Sequence, residues 1–419
     1  MSKRRSTSSD DRSGLGQNSA SWRPVALLQV DIDALAKPPL PDVETPGTRI
    51  WIEAVRQGQV VGVLETWAGT DGLSDSVLDE LAATFSASPT SQVEQLPADL
   101  LPRASVVVPT ICRTPVELVR TVEALLNSDY PDFEVIVVDN RPGTGNEPLP
   151  EFPSTERVHV AVEPVRGISA ARNRGITLST GDFVAFTDDD AIVDESWLRA
   201  LGTTFALDSE IDAIGGLVLP EGLATEPQLW FEEFYGGFSR SFRAEKLSLE
   251  RLKGTDPLFP YAPGRFGAGC NMAFRRSTLE RVGGFDIALG TGTLARGGED
   301  LAMFLELLVS GGTLAFEPGA VVRHSHRRTE RDFLRQVFSY GTGLTAMYTA
   351  IIVRNPRHLA GLIRRIPAGL RLLTRPRGER SPSRTPSYPR RTIVYQFIGM
   401  AYGPFAYARS RANLRWPVK

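Results

Sequence analysis

Three consecutive carboxylates, Asp188-Asp189-Asp190, stand directly behind the apolar run 183–187. Side chains alternate along an extended chain, so Asp188 and Asp190 share one face and Asp189 takes the other. Two carboxylates on one face beyond a buried strand call for a partner, and a hard divalent cation bridged to phosphate oxygens is the usual one. The plainer reading is a solvated acidic turn that caps a helix beginning near Trp197. A second acidic pair, Glu299-Asp300, follows Gly297-Gly298 and opens an apolar helix over 301–309. Acids there can simply complement the helix dipole. As chemistry, one of them is a general base, and because neighbouring helical residues stand about 100° apart only one can face a reacting hydroxyl. His324 and His326 follow Ala320-Val321-Val322 and alternate onto one face. Imidazole joined to two carboxylates and phosphate oxygens favours Mn²⁺ over Mg²⁺. Finally, the glycine-led segment 166–173 offers a helix N-terminus and Arg172, both suited to an anion such as a pyrophosphate.

These residues need elements that bring them to one place. From 104 the chain alternates short β-branched runs with amphipathic helices, the pattern of a parallel α/β sheet. The runs 105–109, 134–138 and 183–187 all end in polar residues, at the strand edge where open α/β sheets bind ligands. Thr114-Pro115-Val116-Glu117 reads as a capping box with proline at the first helical position. No GxGxxG follows the first strand and no GxxxxGK[ST] occurs, which disfavours dinucleotide redox chemistry and a P-loop. Two cysteines, Cys112 and Cys270, cannot build a disulfide framework, and without CxxC or HExxH a zinc hydrolase is disfavoured too.

Around this unit the composition shifts. Residues 1–22 are polar, without the apolar run of a secretory signal, and read as a disordered tail. Residues 23–95 read as a small α+β module, with strands over 49–56 and 60–67 around a tight turn and a helix over 73–85. The Pro/Ser-rich stretch 86–102 supplies a linker that ends at 103. The net charge of −2 conceals a division: residues 321–419 hold 20 Lys and Arg against three acids, leaving residues 1–320 with 27 against 46. A basic C-terminal region of that kind meets something anionic, a nucleic acid or a membrane surface. Its two uncharged runs, 336–353 and 392–408, lie near the roughly 17-residue lower limit for a bilayer span. Both are interrupted by Gly or polar residues and flanked by arginine, so they read as interfacial or core helices. Residues 374–391 are a Pro/Arg/Ser linker.

Taken in order, SVVVPT (105–110), FEVIVVDN (133–140), RGISAARNRG (166–175), FTDDD (186–190), GAGCNMAFRR (267–276), VGGFD (282–286), GGEDLAMFLELL (297–308) and VVRHSH (321–326) resemble the family 2 glycosyltransferases. The resemblance covers about 104–330. It implies a GT-A nucleotide-sugar-binding fold, with the C-terminal helices of 331–419 appended. It also implies transfer of a sugar from a nucleotide-diphosphate donor to a hydroxyl acceptor, with inversion. Pro109, Thr110, Asp139 and Arg172 then match residues of the nucleotide-sugar pocket. Asp188 and Asp189 stand with the donor, and Asp188, Asp190 and His324 with a divalent metal, Mn²⁺ or Mg²⁺. Asp300 matches the catalytic base and Glu299 a residue that orients the acceptor. Cys112 stands where many members have a polar residue. The expected partners are a nucleotide-sugar, a carbohydrate or lipid-linked acceptor and an anionic membrane surface, not nucleic acid. The expected location is cytoplasmic, peripheral on the inner face of the membrane. A sugar nucleotidyltransferase would need a Gly/Lys-rich loop after the first strand, and no lysine lies between 104 and 245. A nucleic-acid-binding protein would leave Asp188, Asp190 and Asp300 without a role.

Overall fold

The computed structural model describes residues 23–34, 47–69, 72–90, 96–143, 147–153, 156–238, 241–251, 257–262, 264, 266–374, 389 and 391–415. The N-terminal tail and most of the 374–391 linker lie outside the described residues, as does part of 86–102, whose described portion carries a 3₁₀ turn at Ala98–Leu100. The first unit is a three-stranded sheet of β1 (Ala26–Asp31), β2 (Arg49–Arg56) and β3 (Gln59–Trp67), backed by α1 (Asp75–Phe85). β2 and β3 form the expected hairpin; Gln57 and Gly58 turn it with φ of 50° and 77°, the left-handed geometry that matches the twist of paired strands. β1 has no counterpart in the sequence reading and pairs parallel to β2.

The larger unit runs through β4 (Ala104–Thr110), α2 (Pro115–Leu126), β5 (Phe133–Asp139), β6 (Val158–Val162), α3 (Ile168–Leu178), β7 (Phe183–Phe186), β8 (Ala191–Val193), α4 (Trp197–Leu207), β9 (Ala213–Pro220), α5 (Glu226–Trp230), β10 (Glu245–Leu247), β11 (Met272–Arg275), α6 (Arg276–Val282), α7 (Glu299–Val309) and β12 (Leu314–His324). Among the described residues its nine strands form one mixed sheet, ordered β10-β12-β9-β11-β7-β4-β5-β6, with β8 paired to β12. β4, β5 and β7 are buried along their whole length because helices cover both faces, which is why they read as unbroken apolar runs. Leu118 and Val122 of α2 and Trp197 and Leu201 of α4 pack on one face. Ala171 of α3 and Met303, Phe304 and Leu307 of α7 pack on the other. β11 is inserted antiparallel between β7 and β9. α2 starts at Thr114 and Pro115 as expected, but the Thr114 side chain makes no capping bond, so the capping box is not formed.

Three helices complete the chain: α8 (Glu330–Arg354), α9 (His358–Thr374) and α10 (Arg391–Arg415). α8 and α10 run parallel, as contacts between Glu330 and Arg391, Phe338 and Gly399, Thr345 and Gly403, and Ala350 and Tyr407 follow one another along both. Their backbones touch: a Cβ added at Gly341, Gly399 or Gly403 would collide with main-chain or side-chain atoms of the opposite helix. α8 meets α7 in the same way, with Gly343 against Gly297 and Gly298. Among the described residues no helix is long and apolar enough to cross a membrane. The N-terminal sheet is tied to the end of β12 by a bidentate pair, Arg323 NH1 and NH2 donating to the Glu53 carboxylate at 3.0 and 2.9 Å.

Candidate active site

Register alone brings the polar strand ends together. Thr110 lies opposite Asp139 in the β4–β5 pair, and Val107 opposite Phe186 in the β4–β7 pair, so Thr110, Asp139 and Asp188–Asp190 share one edge. The alternation inferred for the three aspartates is visible in their partners. Asp190 Oδ1 lies 3.3 Å and Asp188 Oδ2 4.0 Å from His324 Nε2. Asp189 points away and accepts a hydrogen bond from the Thr110 hydroxyl, which in turn accepts from the Cys112 amide at 2.7 Å. β12 delivers His324 by pairing with β8 directly across from Ala191.

Arg172 is the hub. Its guanidinium, 1% exposed, donates from NH1 to Glu299 Oε1 at 2.8 Å and from NH2 to Asp188 Oδ1 at 3.2 Å and to the Gly269 carbonyl at 2.9 Å. The sequence places Arg172 beside the base or phosphates; in the structure it lies beneath the acids, engaged by them. Glu299, expected to orient an acceptor, is likewise 6% exposed and turned to Arg172. Its α7 neighbour Asp300 is the more open acid, with Oδ2 accepting from the Gly269 amide at 2.9 Å and Oδ1 from the Leu301 amide at 2.8 Å. Gly298, at φ 84°, makes the left-handed turn that starts α7 and aims this pair apart.

Two further expectations meet a different arrangement. The Asp139 carboxylate is bound by Arg141 through Nε and NH2 at 2.6–3.1 Å. Burial alone pushes its pKa up, but those bonds win and hold it below the usual value. His326 does not join His324 on the acids; it bonds to Glu232 and stacks edge-on against Phe231 at 4.6 Å between ring centroids. Pro109 is buried within β4 and Thr110 is 3% exposed.

The charges at this edge are strongly perturbed. Burial pushes Asp188 up despite Arg172. It pushes Asp189 up to about 6, against the Thr110 bond. Asp190 goes the other way: burial would raise it, but His324 holds it down at about 2. Glu299 is pushed up to about 7 by burial and by Asp300, with Arg172 opposing. His324 loses solvation by burial, yet Asp190 and Asp188 raise it overall.

The donor set suits a divalent cation. Oxygen of Asp188, nitrogen of His324 and sulfur of Cys270 all lie within 4.8 Å of one another. Cys270, 2% exposed, had entered the sequence reading only in the disulfide count and inside the stretch 267–276. Its place depends on a turn whose closure no local pattern announces.

Residues 105–283 match the family described as Glycosyl transferase family 2. The glucosyl-dolichyl phosphate glucuronosyltransferase of Haloferax volcanii is 32% identical over 172 residues, 41% of this chain and 51% of that one. The succinoglycan biosynthesis protein ExoM of Rhizobium meliloti is 33% identical over 216 residues, 49% and 62% of the two chains. The chain thus spans between about half and under two thirds of these curated relatives' length. A mannosyltransferase from Pyrobaculum calidifontis, solved with GDP-Man and Mn²⁺, is similar at 17% identity and a TM-score of 0.44, over 82% of this chain and 95% of that one. Residues 105–283, which supply most strands of the mixed α/β sheet and the three aspartates, thus match the family 2 glycosyltransferases.

Proposed function

We propose that the protein transfers a sugar from a nucleotide-diphosphate donor to a hydroxyl of a carbohydrate or lipid-linked acceptor, with inversion, in glycan or glycolipid synthesis. The observation that carries this reading is the convergence of Asp188, Asp190, His324, Arg172 and Asp300 at the carboxyl edge of the sheet. Asp188, Asp190 and His324 hold the divalent cation, Mn²⁺ or Mg²⁺, and Pro109, Thr110, Asp139 and Asp189 shape the donor pocket. When bound, the cation supplies positive charge to the leaving diphosphate. Asp300 takes the proton of the acceptor hydroxyl as its oxygen bonds to the anomeric carbon and the bond to the diphosphate breaks. The Gly269 amide, donating to Asp300 Oδ2 at 2.9 Å, holds that carboxylate in place at the start of α7. Glu299 fixes Arg172, and Arg172 fixes Asp188, so the two acids of the pair have separate tasks.

The partner of the basic C-terminal helices is an anionic membrane surface on the cytoplasmic side. α10 turns Ile393, Val394, Phe397, Ile398 and Phe405 outward while burying Thr392, Gly399, Gly403 and Ser410. α9 exposes Leu359, Ile363 and Ile366 beside Arg364. Those outward apolar side chains suit an apolar neighbour, and the arginines around them suit anionic headgroups. A panel of nucleotide-sugars with Mn²⁺ tests the activity: turnover of at least one, lost in Asp190→Ala, is expected. No turnover or donor binding across the panel would refute the reading.

A further inference from the structure

Cys270 is buried, with Val218 and Ala268 packed on one side of it and the acids of the site on the other. It occupies a tight turn closed by a bridge between Ala268 and Asn271, with the Asn271 amide donating to the Ala268 carbonyl at 2.9 Å. Asn271 locks that turn from below. Its side chain accepts from Trp197 Nε1 at 2.9 Å and donates to the carbonyls of Leu217 and Ala320 at 2.9 and 2.8 Å. Gly269 is held from the other side by Asp300 and Arg172. The turn is therefore held by five hydrogen bonds to five elements, and the thiol it carries lies beside Asp188 and His324.

We propose that Cys270 Sγ is a ligand of the cation bound by Asp188 and His324, which makes the site an oxygen–nitrogen–sulfur set. The inference rests on the metal-dependent reading above and adds a donor that the sequence motifs do not assign. The mutual separations, all within 4.8 Å, are near those that one ion bridges at bond lengths of about 2.0–2.3 Å, so a small inward shift of the side chains completes the set. His324 and Cys270 are both buried, so a cation there exchanges little with solvent water on that side. On binding, the sulfur–hydrogen bond gives way to a sulfur–metal bond and the proton leaves to solvent. A thiolate donor turns selectivity away from Mg²⁺, whose preferred ligands are oxygens, and toward thiophilic ions such as Co²⁺, Zn²⁺ and Cd²⁺.

Cobalt makes this visible without any turnover. Full-length protein titrated with Co²⁺ in the absence of donor is expected to show a sulfur-to-cobalt charge-transfer band in the near ultraviolet, with visible bands of the bound ion. Cys270→Ser should abolish the charge-transfer band and weaken Cd²⁺ binding by more than the 10–100-fold that even an outer-shell partner typically contributes. Cys112→Ser should leave both unchanged, since Cys112 is outside the cluster. Circular dichroism of each variant reports folding. Should Cys270→Ser unfold, Cys270→Ala and alkylation protection of the wild-type thiol by Co²⁺ give the same answer. Visible bands without a charge-transfer band, together with unaltered Cd²⁺ affinity in Cys270→Ser, would overturn the sulfur ligand and leave the metal site standing. No bound Co²⁺ by calorimetry, with or without a nucleoside diphosphate, would overturn the metal site itself.

Discussion

The two acids at the start of α7 illustrate how one turn of helix separates roles. Asp300 is open enough to meet a hydroxyl, whereas Glu299 is buried against Arg172. Asp300→Asn should therefore lower kcat by about 10²–10⁴-fold, the usual contribution of a general base, with donor binding by calorimetry nearly unchanged. Asp189 offers a different test, because its raised pKa is a statement about stability. The unfolded chain gives up this proton near 3.8 and the folded chain holds it to about 6, so stability falls as pH rises between those values. In metal-free protein, Asp189→Asn should remove that fall, at most about 3 kcal/mol, seen in urea midpoints measured across pH. The aspartate faces were legible in the sequence because a two-residue period needs no tertiary information. Arg172 was not, since a helical arginine reads the same whether it meets solvent or two carboxylates from distant segments. Cys270 was hidden for the same reason: its neighbours Asp188 and His324 arrive from 82 positions before and 54 after.

At the scale of elements, β4, β5 and β7 declared themselves as apolar runs, while β1, β6, β8, β10, β11 and even the fully buried β9 did not. β6 is an edge strand with Val160 and Val162 exposed, and β11 has only four residues, so each depends on its neighbours for definition. The link between the N-terminal sheet and β12 shows what such neighbours provide. Arg323 and His324 are adjacent on one strand and face opposite ways, the first to Glu53 and the second to the aspartates. Glu53 is 1% exposed, so Glu53→Ala removes the bidentate partner of Arg323 and leaves it only the longer contact to Asp194 at 3.6 Å. Breaking a buried pair costs about 3–5 kcal/mol. Urea denaturation should show a loss of that order, and the expected consequence at the site is a weaker hold on Co²⁺ as His324 gains freedom.

For the whole molecule, the division of charge and the outward apolar faces of α9 and α10 predict how the protein partitions. Pelleting with vesicles containing anionic lipid should persist in part at about 1 M salt, where the Debye length is about 3 Å and surface attraction is gone. Phe397→Glu with Phe405→Glu should abolish the residue that salt leaves. Release of wild-type protein in full by salt would assign the attraction to arginines alone. Between this surface and the chemistry, beside the apolar packing of α7 on α8, the backbone of Gly343 lies against Gly297 and Gly298, where a Cβ on Gly343 or Gly298 would collide with main-chain atoms across the joint. Variation at these three positions is therefore not independent. A Cβ gained at Gly298 or Gly343 must displace α8, and with it α10. The turn that presents Asp300 and the basic C-terminal helices are thus mechanically joined, which predicts that this C-terminal region and the Gly-Gly-Glu-Asp turn are exchanged between relatives only as a unit.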